Sequence, residues 1–174
     1  MAAEEATLTL PGEEGGERDF EQAIAPERER LFALAIVIMR NPSDAEDVVQ
    51  DTLLSAWRSW PKLRDPSRPG PWLTRICVNH CLHHRGRRAR AVWFTAGPDQ
   101  QVAALPQPQL SGELLDFDRA FARLPARQRA AFALHVHYGY TVVECAQYLG
   151  CRPGTARSHL GRAVAALKRE MNHV

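Results

Sequence analysis

The fold of this chain is decided by residues 124–170, LPARQRAAFALHVHYGYTVVECAQYLGCRPGTARSHLGRAVAALKRE. Thr141 is a helix N-cap residue and Gly150 is a helix stop signal, so they bound a short helix. A long helix opens at Pro153 and runs to about Met171. Two helices joined by a turn that contains glycine, the second of them basic, form a helix-turn-helix. We therefore predict that motif here.

Helical spacing sorts the side chains of this motif into a core set and a surface set. The core set is apolar and comprises Cys145, Ala146, Leu149, Cys151, Ala156 and Leu160. The surface set lies at and after the start of the long helix and comprises Arg152, Thr155, Arg157, Ser158 and Arg162. The start of a recognition helix is where side chains meet base edges and phosphates. The surface set is therefore the candidate DNA-binding surface, and a helical hairpin with a solvated basic face is the alternative.

A linker and another group of helices precede this motif. Residues 91–112 hold three Pro and two Gly, a composition typical of a linker. The segment ELLDFDRAFARL that follows it predicts one helix. The chain therefore divides into a disordered acidic tail at 1–17, a first domain at 18–90, the linker, and a second domain at 113–172.

The first domain is predicted to hold three helices. The first runs from about 19 to 39, and Pro26 inside it predicts a kink or a late start. The second runs from about 44 to 60 behind a capping box of Ser43 and Glu46. No segment alternates with period two over strand length, so no sheet is expected. The predicted fold class is all-α, with two small helical domains joined by a flexible linker.

A loop and a third helix complete the first domain. The segment at 61–71, PKLRDPSRPGP, is too rich in Pro to form regular structure. The third helix starts near Pro71 or Trp72 and frays through 86–90. Helical spacing places Leu73, Ile76 and Cys77 on the inward face of this helix. A separate stripe along the helix is formed by Arg75, Asn79 and His83. The second helix buries Ala45, Val48, Val49, Thr52, Leu53, Ala56 and Trp57 and turns largely outward Asp44, Asp47, Gln50, Asp51 and Leu54.

The composition is that of an ordinary globular protein. The 174 residues are 45 % hydrophobic and 24 % charged, with a net charge of +2. These values argue against a disordered chain and against a histone-like nucleic-acid binder. The longest apolar run, 31–39, is far shorter than the ~20 residues that span a membrane. The first residues lack the pattern of a secretion signal. We expect a soluble, intracellular protein with no membrane insertion.

Charge is segregated along the chain. Residues 1–30 hold nine acidic side chains, whereas 75–90 and 145–169 hold five basic side chains each and no acid. Two separate basic segments favour two contacts with one polyanion. Two solvated helix faces are the alternative.

Three segments resemble bacterial sigma factors. Residues 44–60, DAEDVVQDTLLSAWRSW, resemble the polymerase-binding segment of that family. Residues 69–88, PGPWLTRICVNHCLHHRGRR, are similar to its promoter −10 segment. Residues 124–170 resemble the −35-binding fourth domain. A short chain with a mere linker between the domains resembles the extracytoplasmic-function group, which keeps only the second and fourth sigma domains. The resemblance implies a cytoplasmic, non-enzymatic transcription initiation factor without cofactors, which directs core RNA polymerase to specific promoters.

The resemblance also implies three contact surfaces. The residues implied to bind the coiled coil of the polymerase β′ clamp are Asp47, Gln50, Asp51 and Leu54. The −10 element is contacted by Arg75, Asn79, His83, Arg85, Arg87 and Arg88, and a flipped base is taken up by the loop that holds Lys62, Arg64, Asp65 and Arg68. The −35 element faces the surface set of the helix-turn-helix, and the same domain meets the polymerase β flap. An anti-sigma factor is the expected regulatory partner.

Some residues depart from this family or admit two interpretations. His83 stands where relatives often have Asp, and Ala156 and His159 replace larger apolar and basic residues. These departures change the charge of the −10 surface and the shape of the recognition helix. Trp60 and Trp72 could stack on a flipped base, but we expect them in the core.

One helical stretch is crowded with cysteine and histidine, namely Cys77, His80, Cys81, His83 and His84. Cys77 and Cys81 have the i, i+4 spacing that can chelate zinc. Free Cys also packs as a small hydrophobic residue, and we therefore expect no metal site.

Two rival functions stay open. One is a stand-alone helix-turn-helix transcriptional regulator that never binds polymerase, and the other is a nucleic-acid-processing enzyme that uses this cluster.

Overall fold

The computed structural model of the protein describes residues 13–95 and 112–171. The helices are, in chain order, α1 (Glu13–Ile24), α2 (Arg28–Met39), α3 (Pro42–Ser59), α4 (Gly70–Thr95), α5 (Gly112–Arg123), α6 (Ala126–Phe132), α7 (Val142–Leu149) and α8 (Pro153–Met171). Short 3-10 turns follow α1 and α3, and a π-helical turn, Ala133–His137, follows α6. Both described parts of the chain are free of strands, which confirms the all-α prediction.

The kink predicted at Pro26 is present. A 3-10 turn, Ala25–Glu27, separates α1 from α2 and has Pro26 in its first turn. Proline lacks the N–H that a continuous helix would need at this position. The start of α1 at Glu13 corrects the prediction that 1–17 is disordered, because the last five residues of that segment are helical. Residues 1–12 lie outside the described residues.

A tight connection between α2 and α3 replaces the predicted capping box. Arg40 ends α2 in the left-handed region, with φ of 60°. The Asn41 side chain then accepts a hydrogen bond from the Asp44 N–H at 3.1 Å, so Asn41 is the N-cap of α3. The expectation that Ser43 caps this helix is wrong. Pro42 suits the first helical position, since that position has no intrahelical donor to lose, and the helix therefore starts one residue before Ser43.

The third helix of the first domain is longer than predicted. Backbone hydrogen bonding continues through the expected fray at 86–90 as far as Thr95, so the first residues of the predicted linker are helical. The helix starts at Gly70, and the 61–71 segment opens with a 3-10 turn, Trp60–Lys62, which corrects the expectation that this segment holds no regular structure. Residues 96–111 lie outside the described residues.

The helix-turn-helix predicted from the sequence is confirmed by its caps. The Thr141 hydroxyl accepts from the Glu144 N–H, and the Glu144 carboxylate accepts from the Thr141 N–H at 2.8 Å. Gly150 ends α7 with φ of 62°, a conformation that glycine adopts without steric cost. Of the predicted core set, Cys145, Ala146, Leu149 and Ala156 are buried, and Cys151 and Leu160 are half-buried.

The helices α1–α4 and α5–α8 share one hydrophobic core, which the sequence did not predict. The buried cluster joins Leu34, Ile38 and Cys77 of the first group to Leu134 and Leu149 of the second. A second cluster lies between α5, α6 and α8 and comprises Ala120, Phe121, Leu124, Ala163 and Leu167. Burial of apolar area is the main source of stability in such a structure. The two groups are therefore packed against each other in the free chain.

A buried arginine connects the two groups of helices. The Arg129 side chain in α6 is 2 % exposed. Its guanidinium donates to the carbonyl oxygens of Ile38 at 3.0 Å, Ala122 at 2.8 Å and Leu124 at 2.9 Å. Ile38 lies in the last turn of α2, and Ala122 and Leu124 lie at the end of α5, where carbonyl groups have no intrahelical donor. Arg129 thus caps two helix ends, one from each group.

Candidate polymerase and nucleic-acid interfaces

The predicted docking residues share the outer face of α3. Asp47 and Gln50 are exposed, Asp51 is half-buried, and Leu54 is 54 % exposed. The structure therefore brings these four side chains together, as the helical spacing predicted. Asp44 was also expected outward, but it is buried near the N-terminus of α3, and its carboxylate lies 3.6 Å from His84 of α4.

An apolar groove adjoins the docking residues, and sequence reasoning missed it. The groove has a volume of about 620 Å³ and runs between α1 and α3, with walls that include Phe20, Ile24, Leu54 and Trp57. Trp57 was predicted to be buried but is 42 % exposed, because its ring packs edge-on against Phe20 at the rim of the groove, with centroids 5.1 Å apart. The spacing of Trp57 three residues after Leu54 is the signal that could have placed both on one surface.

The predicted −10 stripe lies on one exposed face of α4. Arg75, Asn79 and His83 are all exposed. The His83 Nδ1 lies 2.7 Å from the Asn79 carbonyl oxygen. Because a carbonyl only accepts, Nδ1 carries the proton and Nε2 faces outward. The side chains of Arg85, Arg87 and Arg88 lie outside the described residues.

The loop between α3 and α4 exposes its charged side chains. These are Lys62, Arg64, Asp65 and Arg68. The Asp65 carboxylate accepts from the N–H and the hydroxyl of Ser67, at 3.1 and 2.5 Å, which folds the loop into a turn. Trp60 is buried beneath it, as expected, with its ring centroid 5.2 Å from Phe20 and 6.3 Å from Trp72. Trp72 is half-buried.

The surface set of the helix-turn-helix is exposed in full. Its members are Arg152, Thr155, Arg157, Ser158 and Arg162. The Ser158 hydroxyl donates to the Gly154 carbonyl at 2.9 Å, so it offers an acceptor rather than a donor to a ligand. Guanidinium donors are therefore presented to solvent by Arg152, just before α8, and by Arg157, in its second turn.

His159 points to the interior side of α8. Burial lowers the pKa of its imidazole, and the charges of Arg127 and Arg162 lower it further. Arg127 also donates to the Leu149 carbonyl at 3.3 Å, at the end of α7. His159 is therefore neutral at pH 7, and the positive charge of this region resides in the arginines.

The cysteine and histidine stretch of α4 is divided between the core and other contacts. Cys77 and Cys81 are fully buried, and the Cys77 thiol donates to the Leu31 carbonyl at 3.8 Å. His80 lies 2.9 Å from the Ser55 hydroxyl. Among the residues with described side chains, the group of potential metal ligands is Asp44, Asp47 and His84, whose ligand atoms lie within 4.8 Å of one another. Three such ligands fall short of the four that a structural zinc site takes.

Comparison with known proteins identifies the family. A family model described as Sigma-70 region 2 matches residues 24–91, and one described as Sigma-70, region 4 matches residues 114–167. The extracytoplasmic-function (ECF) RNA polymerase sigma factor SigM of Mycobacterium tuberculosis is 35 % identical over 156 residues, which are 89 % of this chain and 78 % of SigM. The chain belongs to the ECF sigma factors. SigL of the same organism is 32 % identical over 145 residues, 79 % of this chain and 80 % of SigL.

Two solved sigma factors have the same fold. The sigma factor RpoE in complex with the anti-sigma factor NepR, from Bartonella quintana, superposes with a TM-score of 0.74 at 31 % identity, over 89 % of this chain and 98 % of that one. CnrH in complex with the cytosolic domain of CnrY gives a TM-score of 0.61 at 27 % identity, over 92 % of each chain.

Family membership assigns the general function. This ECF sigma factor directs RNA polymerase to promoters. Sigma factors act with polymerase in the cytoplasm and are not enzymes as a family. The region 2 match includes all of α2 and α3, and the region 4 match includes α6 and α7. Within 13–95 and 112–171, each helix is either too short or too polar to cross a bilayer.

Proposed function

We propose that this sigma factor works through three separate surfaces, one for core polymerase and one for each promoter element. The observation that carries the proposal is that, among the described residues, side chains of the three sets are exposed in three different places: on α3, on α4 with the loop before it, and at the start of α8. The proposed domain bounds are 18–90 and 113–172, joined by 91–112. The protein acts in the cytoplasm and carries out no chemistry of its own.

The proposed polymerase surface is the outer face of α3. An exposed apolar patch rimmed by charge marks a protein interface, and Leu54 and Trp57 form such a patch beside Asp47 and Asp51. The β′ clamp is the proposed partner of this surface. Large apolar side chains that become buried on binding dominate the binding energy of many interfaces, and Leu54 and Trp57 are such side chains.

A double substitution tests this surface. Leu54→Ala with Asp51→Arg should weaken binding to core polymerase roughly tenfold to thirtyfold, ~1.4–2 kcal/mol. The matched control is Gln22→Ala, because Gln22 is exposed on α1 and does not line the groove. Equal affinity of the double variant and the wild type in a quantitative pull-down would refute the assignment. Failure of the wild type to bind core polymerase would favour a stand-alone DNA-binding regulator.

The proposed −10 surface combines the α4 stripe with the loop before it. The stripe supplies Arg75, Asn79 and His83, the segment after it supplies Arg85, Arg87 and Arg88, and the loop supplies Lys62, Arg64, Asp65 and Arg68. Cationic and amide side chains along one face suit a single strand whose phosphates and bases are both reachable. Trp60 lies beneath the loop in the core, so stacking on a flipped base falls to other groups.

The test of this surface is His83→Asp. His83 donates through Nδ1 to the Asn79 carbonyl and leaves Nε2 for a contact with DNA, whereas Asp repels phosphate and accepts from the cytosine amine. The variant should shift −10 sequence preference in run-off transcription from randomised promoters and leave −35 and core binding unchanged. Identical −10 preferences would show that His83 does not contact the promoter.

The proposed −35 surface is the start of α8, where Arg157 is exposed in the first two turns. Loss of one good base contact costs about 1–3 kcal/mol of discrimination. Arg157→Ala should therefore relax preference at one or two −35 positions, whereas Arg119→Ala on α5 should not. If Arg157→Ala weakens binding to every sequence by one common factor, Arg157 contacts phosphate instead.

The remaining proposed partners are the polymerase β flap, on α5–α8, and an anti-sigma factor. Both solved relatives described above are complexes, one with NepR and one with the cytosolic domain of CnrY. A partner of that class should cover the docking face of α3 and the C-terminal helices together. Competition between core polymerase and the captured partner is the expected result, and simultaneous binding of both would contradict it.

A further inference from the structure

We propose that Asp44, Asp47 and His84 bind one divalent transition-metal ion, with zinc as the reference ion, and that the bound ion weakens docking of core polymerase. The ligand atoms of the three side chains lie within 4.8 Å of one another, where α3 packs against α4. The metal site stands on these residues alone. Its effect on docking rests on the proposed polymerase surface, because Asp47 belongs to both.

Two helices bring the three ligands together. Asp44 and Asp47 are three residues apart near the start of α3, so they lie on the same side of that helix. His84 lies on α4, one turn after His80, whose Nε2 is 2.9 Å from the Ser55 hydroxyl of α3. That hydrogen bond joins the two helices beside the site. The ligands are therefore held by packed helices, which position side chains more precisely than loops do.

The imidazole of His84 is the observation that points to an ion. Its side chain is 16 % exposed, and its Nε2 is buried. Among the residues whose side chains the structure describes, none forms a hydrogen bond with that nitrogen. The Asp44 Oδ1 lies 3.6 Å away, beyond hydrogen-bond distance. A buried polar atom without a partner is unfavourable, and an ion coordinated by Nε2 would supply that partner.

The separation of the ligand atoms suits a small divalent ion. Zinc takes imidazole nitrogen and carboxylate oxygen at about 2.0–2.2 Å, so two ligands of a tetrahedral ion lie roughly 3.3 Å apart. The 3.6 Å between the His84 Nε2 and the Asp44 Oδ1 is close to that value. Asp47 is exposed, so its side chain can rotate toward the ion. Three protein ligands leave a fourth position for water, as in exchangeable zinc sites.

The ligand types select the class of metal. Imidazole nitrogen suits zinc, nickel, copper and iron, whereas magnesium and calcium take oxygen ligands. The thiols of Cys77 and Cys81 on the same helix are fully buried in the core, and the ligand set does not include them. We therefore expect a site of one nitrogen and two carboxylates that binds zinc and cobalt more tightly than magnesium.

A bound ion changes the surface proposed to dock polymerase. Asp47 is exposed beside Gln50 and Leu54 on the outer face of α3. An acidic docking face favours a partner of positive charge. The ion takes up the Asp47 carboxylate and adds its own positive charge, which is the largest single charge of such a site. Docking should therefore weaken, by roughly threefold to tenfold.

The first measurement is metal binding by the full-length chain after removal of metal with a chelator. Titration calorimetry with Zn²⁺ should show one site. Co²⁺ should give visible absorption without the intense near-ultraviolet band of thiolate ligation. His84→Gln and Asp47→Asn should each weaken Zn²⁺ binding roughly tenfold or more, because even the outer-shell partners of a metal contribute about 10–100-fold.

Matched controls are available for both variants. Glu46→Gln removes an exposed carboxylate from the position before Asp47, and His137→Gln removes an exposed imidazole from the turn after α6. Both should bind Zn²⁺ as the wild type does. Asp47 is exposed, so Asp47→Asn keeps the test decisive if circular dichroism shows that His84→Gln is misfolded.

The second measurement is the affinity for core polymerase with and without Zn²⁺. Zinc should weaken docking of the wild type roughly threefold to tenfold and leave docking of His84→Gln unchanged. An effect of zinc on polymerase itself would appear in both proteins, so the comparison separates it from binding at His84.

Three results would overturn the proposal. The first is Zn²⁺ binding that is absent, or as tight in His84→Gln and Asp47→Asn as in the two controls. The second is Mg²⁺ binding as tight as Zn²⁺ binding. The third is a zinc effect on docking that is absent or equal in the wild type and His84→Gln. Failure of the proposed polymerase surface is a different result, since Leu54→Ala with Asp51→Arg would then dock as the wild type does without metal.

Discussion

Replacement of Arg129 by Met should destabilise the protein more than any surface change of equal size. Met keeps most of the apolar stem and removes the guanidinium. Three carbonyl oxygens then lose their donor, namely those of Ile38, Ala122 and Leu124, which lie 2.8–3.0 Å from the guanidinium. Two of them belong to the end of α5 and one to the last turn of α2, so both helix ends lose a cap at once.

The magnitude comes from two opposing effects. A hydrogen bond from a charged donor contributes roughly 1.5–3 kcal/mol, so three of them give an upper bound of about 5–9 kcal/mol. Burial of the charged group itself costs several kcal/mol, and Met removes that cost. The favourable position of a cation at helix C-termini recovers part of it in the wild type. The expected loss is therefore about 2–4 kcal/mol, a large share of the 5–15 kcal/mol that holds a typical protein folded.

The assay is equilibrium unfolding in urea, followed by circular dichroism. Arg129→Met should lower the midpoint while Arg119→Met changes it little, because Arg119 is 69 % exposed and pairs only on the surface of α5. If the free energy of unfolding of Arg129→Met lies within about 0.5 kcal/mol of the wild-type value, the capping role of Arg129 is refuted.

Three further predictions concern the helix-turn-helix. Gly150→Ala should lower the free energy of unfolding by about 1 kcal/mol, because Gly150 has φ of 62°. Gly161 lies inside α8 with open space around it, so Gly161→Ala should raise the free energy of unfolding by about 0.5–1 kcal/mol. Equal thermal shifts of the two variants would contradict this. Thr141→Ala removes the hydroxyl that accepts from the Glu144 N–H, one half of the capping box, and should cost ~1 kcal/mol in urea unfolding. An unchanged midpoint would count against that role of the hydroxyl. Burial raises the pKa of the Cys145 thiol to about 11, so below that pH it stays protonated and should react with iodoacetamide more slowly than half-buried Cys151. Equal rates by mass spectrometry would show that Cys145 is accessible.

The helix-turn-helix was predictable because its signals are local. Thr141 and Glu144 form a capping box within four residues, and Gly150 takes the one conformation that most other residues resist. The outward face of α3 was predictable for the same reason, since helical spacing alone places Gln50 and Leu54 together.

The features that sequence reasoning missed depend on contacts between distant segments. Trp57 has the spacing of a buried residue, yet it lies at the rim of a groove because α1 packs beside α3. In the sequence, nothing distinguishes Arg129 from an arginine on the solvent-facing side of an amphipathic helix. Its buried acceptor, the Ile38 carbonyl, lies 91 residues away and is brought to it by the packing of α2 against α6. The predicted Ser43 capping box is absent because Asn41 and Pro42 provide an N-cap and a first helical residue two positions earlier than predicted.

Run-off transcription with purified core polymerase, on a promoter library randomised over both elements, tests the central claim most directly. A sigma factor with separate −10 and −35 surfaces should yield transcripts from one family of promoters that share both elements. Arg157→Ala should then relax only the −35 preference, and His83→Asp should shift only the −10 preference. A single substitution that alters both preferences alike, or transcription without any shared element, would contradict the assignment of the two surfaces to α8 and α4.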